Sequence, residues 1–524
     1  MNRSFFSKLP EQCRLIQLLF SYRAFLVVSA LLLLYAIVGS VFLEAFYTRY
    51  DIWDHIAQII AFRDSPFSPV DPYINGNGAS HLMTPYHFLL GIISKLSGLS
   101  PLVVFTAAGV FNLVFFLYSV KILAEKYFGD KNYSLTVLVV FLFGWLFPPL
   151  SSGYYNFGLI PLTLGYPYRF VFPFILLTVA NFNPDEKFFK NLSYLFIAAF
   201  SFAIHPLSGA FIMLIILGKT IFASNKWSFN RTMQMLLPVF ALLISFLWQF
   251  YPIASMLFSS METSVFNLPD SYKWYYTGIW SFLLLLPPSL ITFYKVFKEN
   301  RKDWRVILFV SLIPVYILNF FIIKNEPIAR FTVFTLFLMH LATIEWMIRS
   351  FPLLGKISQH LVILAVGLLA LLQFPFSFST ISVFPDFKNG KPLGYYSNFR
   401  YYNEYSRLDS LISDNGVILA PVPVSTMIVR VTHQKTVVYY YPNPAIPGTK
   451  EKSADIENFF SASSIEQKRS ILKKYGVDYI ITADRLETIQ KLGVSAQIIG
   501  TLDGYNIFKI SLIDSPNGQS LISL

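Results

Sequence analysis

Cysteine is nearly absent. A single Cys13 in 524 residues excludes an intramolecular disulfide and any cysteine-based zinc site. Charge is scarce too: Asp, Glu, Lys and Arg together make up 13% of the chain, against about 25% in a soluble domain. That shortfall excludes a disordered chain and an ordinary soluble enzyme. Internal repeats and low-complexity tracts are also missing. What is abundant is apolar and aromatic, with 55% hydrophobic residues, 54 Phe and 31 Tyr. Mean hydropathy is +0.53. The class this implies is a polytopic membrane protein. The net charge of +12 comes without a Lys/Arg stripe interleaved with stacking aromatics, so nucleic acid is not expected as a partner.

A helix that crosses a bilayer needs about 20 mostly apolar residues. Suitable runs lie at 24–46, 101–120, 134–148, 170–182, 192–204, 207–223, 235–258, 275–294, 306–323, 328–347 and 358–377. They predict about eleven spans. The stretch 192–223 could be one kinked helix, but His205-Pro206 in its middle favours two short ones, because the residue before proline avoids the helical region. No cleavable signal is expected at the N-terminus, since the first apolar run is too long and lacks a small-residue cleavage pattern. Lys and Arg concentrate in alternate loops, at 3–23, 121–131, 187–190, 219–231, 295–305 and 349–356. The positive-inside rule then puts the N-terminus in the cytoplasm and the loop 47–100 outside. An odd number of spans places the tail outside as well, and the membrane expected is the inner (plasma) membrane.

The domains expected are therefore 1–382, the membrane part with its first outer loop 47–100, and 383–524, an extracytoplasmic α/β domain. The tail alternates short β-rich runs (417–420, 436–440, 477–481) with a helical pattern over 454–474. The turn Asp503-Gly504 precedes a closing strand at 505–510.

The first outer loop is too long to be an idle connection. Read as a helix, 51–63 brings Asp51, Asp54, His55 and Gln58 onto one arc. Ile52, Ile56, Ile59 and Ile60 form the opposite, apolar arc. The expectation is an amphipathic helix in the membrane interface. Asp51 can also be read as an N-cap and Asp54 as a first-turn acid. Paired carboxylates here could deprotonate a hydroxyl or hold a divalent cation. Residues 64–84 are rich in Pro, Gly and Asn, so a second helix is predicted from Thr84 as N-cap and Pro85 at its first position. Its apolar stripe runs through Phe88, Leu89, Ile92, Ile93 and Leu96. His81 and His87 belong to the same loop and could complete a site.

With its first span, an outer loop opening on Tyr50-Asp51-Ile52-Trp53-Asp54-His55, and an interfacial segment Thr84-Pro85-Tyr86-His87-Phe88-Leu89-Leu90, the chain resembles the GT-C glycosyltransferases. The resemblance extends to an outer C-terminal α/β domain containing Leu472-Lys473-Lys474-Tyr475-Gly476-Val477-Asp478-Tyr479-Ile480. The acids here are spaced Asp-x-x-Asp, whereas that class more often has adjacent or once-spaced acids. No WWD signature marks the tail, which argues against transfer of a whole oligosaccharide to asparagine.

The resemblance implies an inverting glycosyltransferase, a hexosyl- or pentosyltransferase of the cell envelope. Its donor would be a polyprenyl-phosphate sugar, and its acceptor a glycan, lipid or protein. Asp54 is the first choice as general base, with Asp51 orienting it, binding the acceptor or sharing a Mg or Mn ion. His55 lies beside them. For the leaving phosphate the candidates are Arg169, in Gly165-Tyr166-Pro167-Tyr168-Arg169-Phe170, His205 at the turn before Pro206, and Arg330, four residues after Glu326. Arg330 could equally just pair with Glu326. Arg430 and His433 in the tail could reach down to the acceptor, although surface residues of a strand domain are usually just solvated. A transporter or lipid flippase is the alternative from another class, although it would want ionisable groups near the bilayer midplane. A polymer ligase would want its large Arg/His-rich outer loop late in the chain.

Overall fold

The computed structural model describes residues 19–43, 52–69, 83–144, 155–222, 228–250, 271–277, 285–355, 358, 360–364, 367–368, 371–373, 383–412, 416–438, 449–461 and 464–512. Asp51 and His81 lie outside them, as does most of the expected span 358–377. The chain is mostly helical with a small C-terminal sheet. It divides into two compact units, one formed by 1–44 and 79–394, the other by 45–78 and 395–524. The segment 47–100 is thus divided, and its opening helix groups with 395–524 in one unit.

In chain order the helices begin with α1 (Tyr22–Val41), α2 (Ile52–Asp64), α3 (Pro85–Ser97) and α4 (Pro101–Lys126). They continue with α5 (Ser134–Phe143), α6 (Pro167–Asn181), α7 (Phe188–Ile204), α8 (Pro206–Phe222) and α9 (Leu237–Ser245). Next come α10 (Leu286–Glu299), α11 (Trp304–Leu318), α12 (Glu326–Arg330) and α13 (Thr332–Arg349). Helices α14 (Asn398–Ser406), α15 (Val422–Val431), α16 (Thr449–Phe460) and α17 (Ile465–Tyr475) alternate with strands β1 (Val417–Leu419) and β2 (Lys435–Thr436). Strands β3 (Val477–Thr482), β4 (Val494–Leu502) and β5 (Tyr505–Leu512) close the chain.

In the helical unit, four stretches are long and apolar enough to cross a membrane among the described residues: α1, α4, Trp304–Ile323 and Glu326–Arg349. Helices α7 and α8 meet at His205-Pro206 as expected but are shorter. The expected run 275–294 corresponds to two described helices, Ser271–Thr277 and α10. Side-chain distribution fits a hydrocarbon surrounding. On α1, Val27, Leu31 and Leu34 are exposed while Phe25, Ser29, Leu32, Ala36 and Gly39 are buried, so apolar side chains cover both faces and small residues lie on the packed one. Helix α3 behaves likewise. Thr84 and Pro85 start it, yet Leu89, Ile93 and Leu96 of the expected stripe point outward and Tyr86, His87 and Ser94 point in.

The other unit is built on a five-stranded sheet in the order β2-β1-β3-β5-β4. Strand β1 runs parallel to β2 and β3, whereas β3–β5 and β5–β4 are antiparallel. Parallel neighbours cannot be joined by a tight turn, so the link from β1 to β2 has to travel, and α15 is that crossover. The β4–β5 hairpin turns at Asp503 (φ 47°) and Gly504 (φ 81°), the left-handed pair that a two-residue turn requires. Leu419, Leu472, Ile480 and Phe508 lie at the centre of its core. The single helix expected over 454–474 is two helices, because Ser464 and Gln467 form a capping box that starts α17.

Helix α2 departs most from expectation. Instead of lying in a membrane interface with one side to lipid, it is buried from Ile52 to Ile60, and again at Phe62. It packs against α15.

Candidate functional site

Asp54, in the first turn of α2, meets Arg430 in the last turn of α15. Arg430 Nη2 donates to Oδ2 at 2.9 Å, and Nε lies 2.7 Å from Oδ1 in the same ion pair. Both side chains are nearly closed to solvent, at 8% and 2% exposure. One turn along, Gln58 is buried, and neither end of its amide has a hydrogen-bond partner among the described residues. His55 is buried beside them. The polar arc read from the sequence is real, but it faces the interior of a folded unit.

A second polar contact closes the far end of α2. His433, just past α15, bonds Asp64 through Nε2, and its Nδ1 lies 3.0 Å from Asp409 Oδ2. The hydrogen bonds to Asp409 and Asp64 push the imidazole up to about 10, so it is protonated at neutral pH. Burial alone would raise Asp64, yet its bonds from His433 and Arg63 outweigh that and hold it below its ordinary value. Asp409 is held low in the same way by His433.

The helical unit holds a different arrangement. Arg169, at the start of α6, is completely buried. Its Nε and Nη2 donate to Thr163 Oγ1 at 3.1 and 2.8 Å, and its guanidinium lies 4.2 Å from the centre of the Tyr155 ring. Nη1 has no hydrogen-bond partner among the described residues, and no carboxylate there pairs with it. Tyr155 is held in turn by bonds from its hydroxyl to the Asn112 and Arg169 carbonyls. Neighbouring Tyr168 brings its ring within 5.9 Å of His205.

His205 itself accepts the Ser208 backbone N–H at Nδ1 and sits 2.7 Å from the Ser208 hydroxyl, so it caps α8. Arg330 pairs with Glu326, and the Tyr275 hydroxyl donates to the same carboxylate at 3.2 Å. His87 is buried with Nδ1 2.9 Å from the Thr84 hydroxyl. A cleft of about 750 Å³ opens between α3, α6, α7 and α9, with Phe88, Phe174, Phe200 and Trp248 among its walls. The Trp248 indole is fixed by a 2.7 Å bond to the Met83 carbonyl.

One reading of the sequence changes. Arg430 is not a solvated strand residue: it sits at a helix end and is buried. Its signal was visible, since it is the lone charge in a ten-residue helix whose other polar residues are Ser425 and Thr426, and such a charge is rarely buried without a partner. Of the expected Asp51/Asp54 cation site only Asp54 is among the described residues. Among the described residues no three His, Cys, Asp or Glu side chains converge as metal ligands. No protein-family model matches the chain, and no curated protein matches it.

Proposed function

We propose that the chain is an inverting glycosyltransferase with the GT-C-like plan of about eleven spans, its N-terminus in the cytoplasm and its sheet-bearing unit outside the plasma membrane. The donor is a polyprenyl-phosphate sugar. The single observation carrying this reading is Arg169, a buried guanidinium paired with hydroxyl and ring instead of a carboxylate. An ion held in an apolar region at such cost is normally there for an anion.

Its surroundings suit a lipid phosphate. The α6 wall of the cleft starts at Phe174, five residues or about 7.5 Å of helix from Arg169. The α7 wall ends at Ala203, two residues before His205. An isoprenoid chain fits the apolar cleft, and a phosphate fits the basic end of the helices that wall it.

The acceptor hydroxyl oxygen attacks the anomeric carbon of the sugar, and the bond from that carbon to the phosphate oxygen breaks. The bonding pair leaves with the lipid phosphate, whose added negative charge Arg169 stabilises, with His205 and Arg330 nearby. The hydroxyl proton goes to a carboxylate base, the role that the resemblance gives to Asp54, with Asp51 as its neighbour in sequence. This deprotonation contributes about 10²–10⁴-fold.

The test is radiolabel transfer in membranes from a panel of polyprenyl-phosphate sugars, comparing the intact chain with Arg169→Met, Asp54→Asn and Asp51→Asn. Transfer by the intact chain and its loss in Arg169→Met and Asp54→Asn is the expected result. Transfer unaffected by any of the three rejects the site. The cleft with Arg169 would serve a lipid flippase equally well, and movement of labelled carrier across vesicles without sugar transfer would favour that reading.

A further inference from the structure

We propose that Arg430 is a positioning residue for Asp54, so that the C-terminal domain supplies half of the acid site that the first outer loop opens. The inference rests on the transferase reading above and adds a residue to it. The two side chains are 376 positions apart in sequence, yet they meet in an ion pair within one folded unit.

Fold stability does not account for the pair. A buried ion pair adds little over apolar side chains of the same volume, because both ions must first lose their water. What the pair supplies is geometry. The Nη2–H···Oδ2 bond at 2.9 Å and the 2.7 Å approach of Nε to Oδ1 hold the Asp54 carboxylate against the guanidinium. A single contact would still let α2 turn about its axis, but His433 holds Asp64 at the other end. The anchors are ten residues apart, about 15 Å along the helix. Both come from the end of α15 and the turn after it, so the arc carrying Asp54, His55 and Gln58 is held in one rotational setting.

Arg430 cannot itself take the proton, since a guanidinium stays charged. An ionised carboxylate has about four lone-pair sites, and the Arg430 Nη2 bond uses one of them. The buried Gln58 amide, without a partner among the described residues, lies one turn away on the same arc. It is suited to bond the oxygen that Asp54 deprotonates.

The experiment measures transfer with the purified full chain in lipid nanodiscs, for the intact protein and for Arg430→Lys, Arg430→Met, Asp54→Asn and the double variant Arg430→Met/Asp54→Asn. Misplacing a catalytic group by about 1 Å costs about 10²-fold. Arg430→Met should therefore lower kcat by about that factor while the KM for the donor stays unchanged. Arg430→Lys should recover part of the loss, because it keeps the charge without the guanidinium. The double variant should be no slower than Asp54→Asn alone, as expected for residues acting as one unit. If Arg430→Met does not fold, Arg430→Lys carries the test by the same split of kcat from KM. A folded Arg430→Met or Arg430→Lys protein with the intact kcat overturns this inference and leaves the transferase reading standing. An intact protein that transfers sugar from none of the donors overturns both.

Discussion

Arg169 and Arg430 are both closed to solvent, one in each folded unit, and each is stabilised by different chemistry. Arg430 meets a carboxylate in a buried ion pair, so its charge is cancelled locally. Arg169 meets a hydroxyl and the face of a tyrosine ring, which solvate a cation without neutralising it. The same residue type therefore does different work. A cancelled charge fixes a position, whereas a charge left with only dipoles around it retains an attraction for an incoming anion. Backbone packing supports the second arrangement. A Cβ on Gly109 would come within 2.9 Å of the Gly165 backbone, and one on Gly165 within 2.6 Å of the Phe105 ring. Close approach of chain to chain holds the 163–169 segment in place of an ion pair.

The largest effect expected from breaking this contrast falls on Arg430. In Arg430→Met the carboxylate of Asp54 stays buried without its charged partner, and such a loss costs about 3–5 kcal/mol. Arg430→Met/Asp54→Asn should regain most of it, since no buried charge remains. Denaturant unfolding of the full chain in detergent measures both. Equal stability of the single and double variants would mean that the pair is not coupled. Arg169→Met should behave in the opposite way: unfolding within about 1 kcal/mol of the intact protein, because no charged partner is orphaned. Its loss should appear in ligand binding. Charged hydrogen bonds are worth about 1.5–3 kcal/mol, so thermal protection by polyprenyl phosphate should need about 10–100-fold more ligand. Arg169→Met protein protected as well as the intact chain would remove the phosphate site.

Gly165→Ala sharpens the contrast from the packing side. The added methyl must displace the Phe105 ring, an overpacking cost of about 1–3 kcal/mol. It should also weaken polyprenyl-phosphate protection, although Arg169 itself is untouched. Melting curves with and without the lipid check both effects.

The two units also differ in how much of them could be read from the sequence. Local signals carried well: Thr84-Pro85 starts α3, His205-Pro206 separates α7 from α8, and Asp503-Gly504 turns the last hairpin. Arg169 stood out as a charge opening an apolar run. The break at Ser464 was also there to be read, in the Ser464-x-x-Gln467 capping box, but the apolar positions on either side mimic one continuous helix. Strand β4 alternates weakly and is mostly half-exposed or exposed, so it offered little pattern. The Asp54–Arg430 contact had no local signature at all. It exists because β1 and β2 are parallel, because their crossover must be α15, and because α2 packs on that crossover. Periodicity places Asp54 on an arc; tertiary topology decides what the arc faces.

The smallest effect should come from His433, because its side chain is 52% exposed and exposed pairs are weakened by water and salt. Its direction is nevertheless definite. The folded imidazole titrates near 10, above the ordinary 6.5. Its contribution is therefore whole below pH 6.5, shrinks across the interval and is gone above about pH 10. The groups facing it are Asp409 and Asp64, the latter also paired with Arg63. Both acids are held below their ordinary 3.8, so their contribution is present above that pH and is lost only as acid reaches their lowered values. Between pH 6 and 10 these groups predict a stability that falls with rising pH through the imidazole alone. Denaturant midpoints of the full chain across this range should decline, the decline should be shallower in 0.5 M salt, and it should vanish in His433→Gln. An equal decline in His433→Gln would mean that α2 is not held at its far end by this contact, leaving the Arg430 ion pair as its one charged anchor among the described residues.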